Sequence, residues 1–207
     1  MSPPTTVDGV APAEALARLR EGNRRFVTGE GSAFHRWHPG LVDGQSPFAV
    51  VLGCADSRAP AEYVFDQGLG DLFVIRVAGN IVAPSLVGSI EFAASRFATR
   101  LVVVMGHTHC GAVDATVRAL GRGDAPESRN LQSIVDRIAP HVRHLFATPG
   151  DPQARLVAAV HANALASARE LHHSSPLLQE LVDDGRVVIV AAVLDLATGT
   201  VNFLDQP

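Results

Sequence analysis

Residues 101–111 read LVVVMGHTHCG, an apolar run that ends abruptly in a polar turn, and residues 48–58 repeat this arrangement as FAVVLGCADSR. A third apolar run spans residues 72–77. The segment 85–97 lies between these runs and has its apolar residues at helical spacing. Apolar strands that alternate with helices are typical of a parallel sheet covered on both faces. We therefore predict an open, mainly parallel α/β sheet.

The flanking segments complete a single domain over residues 1–207. Residues 1–12 are predicted to be a mobile tail, and residues 13–28 an N-terminal helical arm that stops at Gly29. The long stretch beyond Cys110 carries apolar residues at helical spacing and is predicted to form three or four helices, with residues 125–185 as the helical part of the domain. Residues 187–196 and 200–204 flank a short turn and predict a hairpin. The sheet should then contain four to five strands.

Composition excludes several classes of function. The chain has 207 residues, 47% hydrophobic and 18% charged, with a net charge of -4, and its acids and bases are interspersed. We expect no nucleic-acid partner and no membrane partner, because there is no basic patch and no apolar run near the roughly 20 residues of a membrane span. All 17 basic residues are arginines, which excludes lysine chemistry such as a Schiff base. Two cysteines and no visible secretory signal favour a cytoplasmic location.

Both cysteines follow predicted strands. Ligands of open α/β sheets gather beyond the carboxyl ends of the strands, where Cys54, His107 and Cys110 stand. Two thiolates and one imidazole are donors that zinc prefers, and three protein ligands leave a fourth position for water. If the chain turns into a helix after His107, Cys110 lies on the same side of it three residues later. The sequence therefore predicts a zinc site.

Other interpretations of the two cysteines stay open. Each could be a small core residue, the pair could form a disulfide, or one could act as a catalytic thiol beside the histidine. Zinc binding accounts for both cysteines at once.

Asp56 and Arg58 follow the first predicted ligand. On an extended segment, residues two apart project to the same side, so the carboxylate and the guanidinium could form a bidentate pair. An ordinary surface salt bridge is the alternative. Beside zinc, Asp56 could accept a hydrogen bond from the zinc-bound hydroxide or close the site as a fourth ligand, with Arg58 fixing its orientation.

The motifs CADSR, DQGLGDLFVIRVAGN, SIEFA and GHTHCGA together resemble the β-class carbonic anhydrases. The resemblance runs from the helix ALARLREGNRRFVTG to residue 120 and returns in VVIVAAVLDLATGTVNFL, so that residues 125–185 match weakly.

The resemblance implies roles for individual residues. Cys54, His107 and Cys110 would be the ligands of one zinc ion per chain, with Asp56 and Arg58 as the catalytic pair beside it. The implied substrate-binding residues are Gln45, which would act across a dimer interface, Phe73 and Phe92, for which core packing is the alternative, and Gly111. His109 occupies a variable position, so a solvated side chain and a proton shuttle are both compatible with it.

The sequence also departs from the family. One subset binds regulatory bicarbonate with a tryptophan where this chain has Val51, although Arg76 matches an arginine of that site. The chain therefore resembles the plant-type subset, and the regulatory site is expected to be absent or altered. Phe92 and Leu194 each stand where the family often has tyrosine.

The resemblance implies a lyase that reversibly hydrates carbon dioxide to bicarbonate and a proton by means of zinc-bound hydroxide. Two thiolate ligands predict a hydroxide pKa above that of a three-histidine site, and hence activity that rises toward alkaline pH. A homodimer or a dimer of dimers is implied. Hydrolysis of carbonyl sulfide or carbon disulfide, and a non-catalytic zinc-binding sensor or scaffold, are the alternative functions.

Overall fold

The computed structural model describes residues 9–31, 37, 39–124 and 126–204. One five-stranded sheet has the order β2-β1-β3-β4-β5, and its strands are β1 (Ala49–Gly53), β2 (Leu72–Arg76), β3 (Leu101–His107), β4 (Val188–Leu194) and β5 (Val201–Leu204). The first four strands in chain order are parallel, and β5 pairs antiparallel with β4. The predicted open, mainly parallel sheet and its C-terminal hairpin are confirmed.

Helices occupy the connections between the strands. They are α1 (Pro12–Thr28), α2 (Ala61–Val64), α3 (Pro84–Phe97), α4 (Gly111–Arg122), α5 (Arg129–Val142), α6 (Pro152–His172) and α7 (Pro176–Asp183), with short 3-10 helices at Pro39–Asp43, Ala78–Asn80 and Arg143–Phe146. The N-terminal helix ends as predicted at Gly29, which adopts φ 72°. Four α-helices, α4 to α7, lie between Cys110 and β4, and three of them follow residue 125.

Each face of the sheet carries its own apolar cluster, because alternate residues of a strand point to opposite sides. Val50 and Leu52 of β1 pack with Ile90 of α3 and Ile138 of α5. The other face buries side chains such as Val51 of β1 beneath Leu19 of α1. Both faces of β1 and β3 are therefore covered, which explains their uninterrupted apolar runs.

The order of the strands determines where a ligand can bind. The chain passes from β1 to β2 on one side of β1, and then to β3 on the other side. The loops after β1 and β3 therefore diverge and leave a crevice at the carboxyl edge of the sheet. Cys54 begins the loop after β1, and His107 is the last residue of β3.

Some predictions concern segments with little or no structural description. Residues 1–8 of the predicted tail, and residue 125 at the start of the predicted helical part, lie outside the described residues. Within the described tail, Val10 packs against the apolar cluster beneath α1. Among the helices that the structure describes, none is both long and apolar enough to cross a membrane.

Candidate metal centre

Cys54, His107 and Cys110 converge at the carboxyl edge of the sheet. One potential ligand atom from each residue lies within 4.8 Å of the other two, and all three residues are buried. This is the one group of three or more such residues found in the part of the chain that the structure describes. The cluster joins residues that are 56 positions apart, because β1 and β3 are paired neighbours.

His107 is oriented to bind a metal through one nitrogen. Its Nδ1 lies 2.9 Å from the carbonyl oxygen of Thr108, and since a carbonyl can only accept, Nδ1 carries the proton. The second nitrogen, Nε2, then has a free lone pair, and it is buried without a hydrogen-bond partner among the residues that the structure describes. Leaving such an atom unpaired in the interior is costly. A metal ion bound to Nε2 would remove this cost, because it would accept the lone pair of the nitrogen.

The two cysteines are free thiols whose sulfurs lie 4.0 Å apart. The hydrogen bond from Cys110 lowers the pKa of Cys54 to about 4, and the same bond raises the pKa of Cys110. Cys54 also accepts from the backbone N–H of Gly79 at 3.4 Å. Cys110 is the residue that caps the N-terminus of α4, where the helix dipole favours a negative sulfur. Cys54 is thus prepared as a thiolate, the form of cysteine that binds metal.

The turn between His107 and Cys110 differs from the expectation of helical spacing. His107 ends a strand, and the helix starts only at Gly111, so the two candidate ligands meet across a strand–turn–helix junction. His109 adopts φ 56° in this turn. Thr108 fixes the turn against β4, since its N–H donates to Leu194 at 2.9 Å and its hydroxyl accepts from the N–H of Leu196 at 3.0 Å. A spacing of three residues brings two ligands together here without an intervening helical turn.

Asp56 and Arg58 form the expected bidentate pair, but in a turn rather than on an extended segment. The Arg58 side chain donates from Nε to Oδ1 at 2.9 Å and from Nη2 to Oδ2 at 2.7 Å, and its backbone N–H donates to Oδ1 at 2.9 Å. The turn closes because the N–H of Ala59 donates to the carbonyl of Asp56. These bonds to Arg58 hold the pKa of Asp56 well below its usual range. Asp56 Oδ2 lies 3.8 Å from His107 Nε2, so the carboxylate borders the ligand cluster.

Arg76 supports the loop that carries Cys54 and Asp56, a role that the sequence interpretation missed. Its Nε donates to the carbonyl of Cys54 at 3.0 Å, and its Nη2 donates to the carbonyl of Asp56. The motif matched Arg76 to a regulatory arginine and gave no sign of these contacts. Its position at the carboxyl end of β2, paired with Gly53, was the one sign that its side chain could reach the loop after β1.

The predicted substrate-binding residues are spread over several surfaces. Gln45 is exposed between the 3-10 helix Pro39–Asp43 and β1. Phe73 and Phe92 have ring centroids 6.3 Å apart, and Phe92 is 54% exposed on α3. Gly111 borders a cavity of about 490 Å³ that lies between α4 and α5. The substrate-binding assignments of all four residues remain predictions.

Fold and site together define an α/β protein with a cluster of two cysteines and one histidine that could hold a metal ion at the switch point of its sheet. The family model described as carbonic anhydrase matches residues 49–201, and the chain belongs to this family. It is 38% identical over 196 residues to carbonic anhydrase of Mycolicibacterium smegmatis, covering 93% of each chain. It is 46% identical over 136 residues to carbonic anhydrase 2 of Mycobacterium tuberculosis, covering 63% of this chain and 64% of that protein. The latter match spans slightly less than two thirds of that relative.

Solved structures show the same fold. The Coccomyxa beta-carbonic anhydrase in complex with acetazolamide superposes with a TM-score of 0.71 at 22% identity, covering 91% of this chain and 86% of that one. A tetrameric beta-carbonic anhydrase from Sordaria macrospora superposes with a TM-score of 0.70 at 22% identity, covering 93% and 94% of the two chains. The predicted family and fold class are therefore confirmed.

Proposed function

We propose that this protein is a zinc-dependent carbonic anhydrase, a lyase that interconverts carbon dioxide and bicarbonate. The observation that carries the proposal is the buried cluster of Cys54, His107 and Cys110 beside Asp56, whose carboxylate is engaged by Arg58. A purely structural zinc site normally has four protein ligands. This cluster offers three, and a charged pair stands beside it.

The three clustered residues would hold the zinc ion. The unpaired Nε2 of His107 and the two neighbouring sulfurs fit zinc, because two thiolates and one imidazole suit its borderline-soft character. When bound, zinc supplies a Lewis acid that lowers the pKa of a water molecule and makes it a nucleophile near neutral pH.

We assign Asp56 the role of orienting the attacking water. Arg58 keeps the carboxylate ionised and occupies both of its oxygens, which favours a site with its fourth position open to water over one closed by Asp56. Asp56 Oδ2, on the side of His107, retains a lone pair that can accept a hydrogen bond from the water. This bond would direct an oxygen lone pair at the carbon of carbon dioxide. The released proton then leaves to solvent or buffer.

A homo-oligomer would complete the substrate pocket. Phe73, Phe92 and Phe97 form an aromatic cluster that leaves Phe92 exposed on α3, and Gln45 is likewise exposed. We propose that Gln45 and Phe92 face a second copy of the chain in a homodimer or a dimer of dimers. Phe92→Arg should shift the mass measured by light scattering toward the monomer. Leu177→Arg, which alters a side chain 39% exposed on α7, serves as the control.

The deciding experiment is stopped-flow hydration of carbon dioxide by zinc-loaded protein from about pH 6.5 to 9, around the expected pKa of the activated water. The proposal requires a rate that scales with bound zinc, rises with pH and vanishes after chelation. A folded protein with one zinc per chain and no hydration above buffer would refute it. Carbonyl sulfide and carbon disulfide would then be the next substrates to assay.

We also propose that the protein works in the cytoplasm, where its two thiols would stay reduced. Immunoblotting of fractionated cells tests this, and recovery of the protein outside the cytoplasmic fraction would contradict it.

A further inference from the structure

A chain of hydrogen bonds runs from the surface of α6 to the sulfur of Cys54. It passes through the short turn Ala78–Asn80 that follows β2, where the N–H of Gly79 donates to Cys54 Sγ at 3.4 Å. The carbonyl of the same residue accepts from Asn163 Nδ2 at 2.9 Å. The backbone of Gly79 thus connects the predicted metal ligand Cys54 with Asn163, which lies 84 positions after Gly79 in the sequence.

The turn depends on support from outside, because two consecutive residues adopt left-handed conformations. Gly79 has φ 75° and Asn80 has φ 43°, a region that few residues other than glycine and asparagine enter. A Cβ at position 79 would lie 2.7 Å from Ile138 Cδ1 and 3.1 Å from Ala112 Cβ. The backbone at Gly79 therefore touches α4 and α5 directly, and its N–H keeps its direction only while the turn stays in place.

Asn163 is itself held in one orientation. It is fully buried on α6, and its Oδ1 lies 3.0 Å from His141 Nδ1 on α5. Since Oδ1 can only accept, His141 donates there, and the amide NH₂ must face Gly79. His141 Nε2 lies 3.3 Å from the Glu170 carboxylate, whose side chain is 42% exposed. His141 and the partly exposed Glu170 thereby hold the amide of Asn163 in one orientation.

We propose that Asn163 is a positioning residue for the metal centre, holding the Gly79 N–H on the sulfur of Cys54. The inference rests on the proposed zinc site and extends it to helices α5 and α6, the part of the chain with the weakest motif resemblance. A hydrogen bond to a thiolate withdraws charge from the sulfur and fixes its direction. Partners of this kind typically change metal affinity by about 10- to 100-fold when they are removed.

The test compares Asn163→Leu with a matched control, Ser167→Ala. Ser167 lies one turn further along α6 and is equally buried, and within the described part of the chain its hydroxyl has no hydrogen-bond partner. Zinc affinity is measured by competition with a chromophoric chelator, and the thiolate-to-metal charge-transfer band is recorded after replacement of zinc by Co²⁺. Urea unfolding of the metal-free variants measures any loss of fold stability separately.

We expect Asn163→Leu to weaken zinc binding about 10-fold and to move the cobalt charge-transfer band to longer wavelength, because the sulfur regains electron density. Ser167→Ala should change neither. His141→Leu, which frees the amide without removing it, should shift both readouts in the same direction by less, and it replaces Asn163→Leu if that variant does not fold.

Unchanged zinc affinity and an unchanged cobalt band in folded variants would overturn the inference, even if their urea midpoints fall, since a purely structural role predicts that pattern. A wild-type chain that binds no zinc would overturn the proposed function together with this inference. If the wild type binds zinc and hydrates carbon dioxide, but Asn163→Leu and His141→Leu bind zinc as Ser167→Ala does, the inference alone is overturned.

Discussion

Arg58→Gln separates the orientation of Asp56 from the stability of the fold. The substitution removes the two guanidinium hydrogen bonds to the carboxylate and a longer one, at 3.4 Å, to the carbonyl of His109, and it leaves the backbone N–H bond of residue 58 in place. The Arg58 side chain is 56% exposed, so that water competes for both partners. We therefore expect the free energy of unfolding to change little.

Activity should fall much further than stability. Asp56 is only 18% exposed and borders His107, and without the guanidinium its carboxylate can rotate away from the attacking water or reach toward the metal. Loss of such an orienting partner typically costs about 10- to 100-fold in activity. The assay is stopped-flow hydration at alkaline pH, normalised to bound zinc, with urea unfolding of the same samples.

Arg186→Gln is the matched control for this prediction. Arg186 is 51% exposed and pairs with Glu180 at 2.8 Å and Asp184 at 3.0 Å, just before the amino end of β4 and so at the opposite edge of the sheet from the metal centre. Its replacement should leave hydration unchanged. The reasoning is refuted if Arg58→Gln keeps more than half of the wild-type rate, or if its loss vanishes once rates are normalised to zinc.

Three further predictions concern the ligands, the turn and the pH dependence of stability. Cys110→Ser should lose the bound zinc, measured by atomic absorption after dialysis, because a hydroxyl is a poor substitute for a thiolate; retention of one zinc per chain would contradict the ligand assignment. Gly79→Ala should destabilise the metal-free protein by roughly 2–5 kcal/mol in urea, from its positive φ and its steric contacts, whereas Gly88→Ala, where a Cβ meets nothing within 4 Å, should not. Burial opposes charge on His141, but Glu170 and Asn163 outweigh it and raise its pKa. The charged His141 therefore stabilises the fold by less than about 1 kcal/mol; this stabilisation is complete below about pH 6.5 and is lost as the pH rises through the raised pKa. Glu170→Gln should make the free energy of unfolding in urea decline less over this pH range. An unchanged pH profile would count against the pairing of His141 with Glu170.

The sheet and the cluster of Cys54, His107 and Cys110 were predictable because their signals are local. Cys54 directly follows β1, His107 ends β3, and Cys110 comes three residues after His107, while the carboxyl ends of parallel strands share one edge. The pairing of Asp56 with Arg58 followed from the short distance between them in the sequence. The bounds of the strands shifted by one or two residues, which altered no assignment.

The supporting contacts were not predictable, because they depend on register and backbone geometry. Arg76 reaches the Cys54 loop only because β2 pairs with β1 in one register. Gly79 reaches the sulfur only through a left-handed turn, and Asn163 contacts that turn from a distant helix. The spacing of His107 and Cys110 is equally compatible with one turn of a helix and with the strand–turn–helix junction found here.

The separation of Cys54 and Cys110 along the chain has a consequence for folding. A metal bound by both closes a loop of 56 residues, much as a covalent cross-link would. By the chain-entropy argument used for such links, confining the unfolded chain in this way is worth about 4 kcal/mol, a large part of the stability of an ordinary domain. No local segment contains the whole ligand set, so complete coordination has to wait until β1 and β3 have paired. The ion would then bind late in folding and hold β1 and β3 together. It would slow the unfolding of the central sheet as well as serve the reaction.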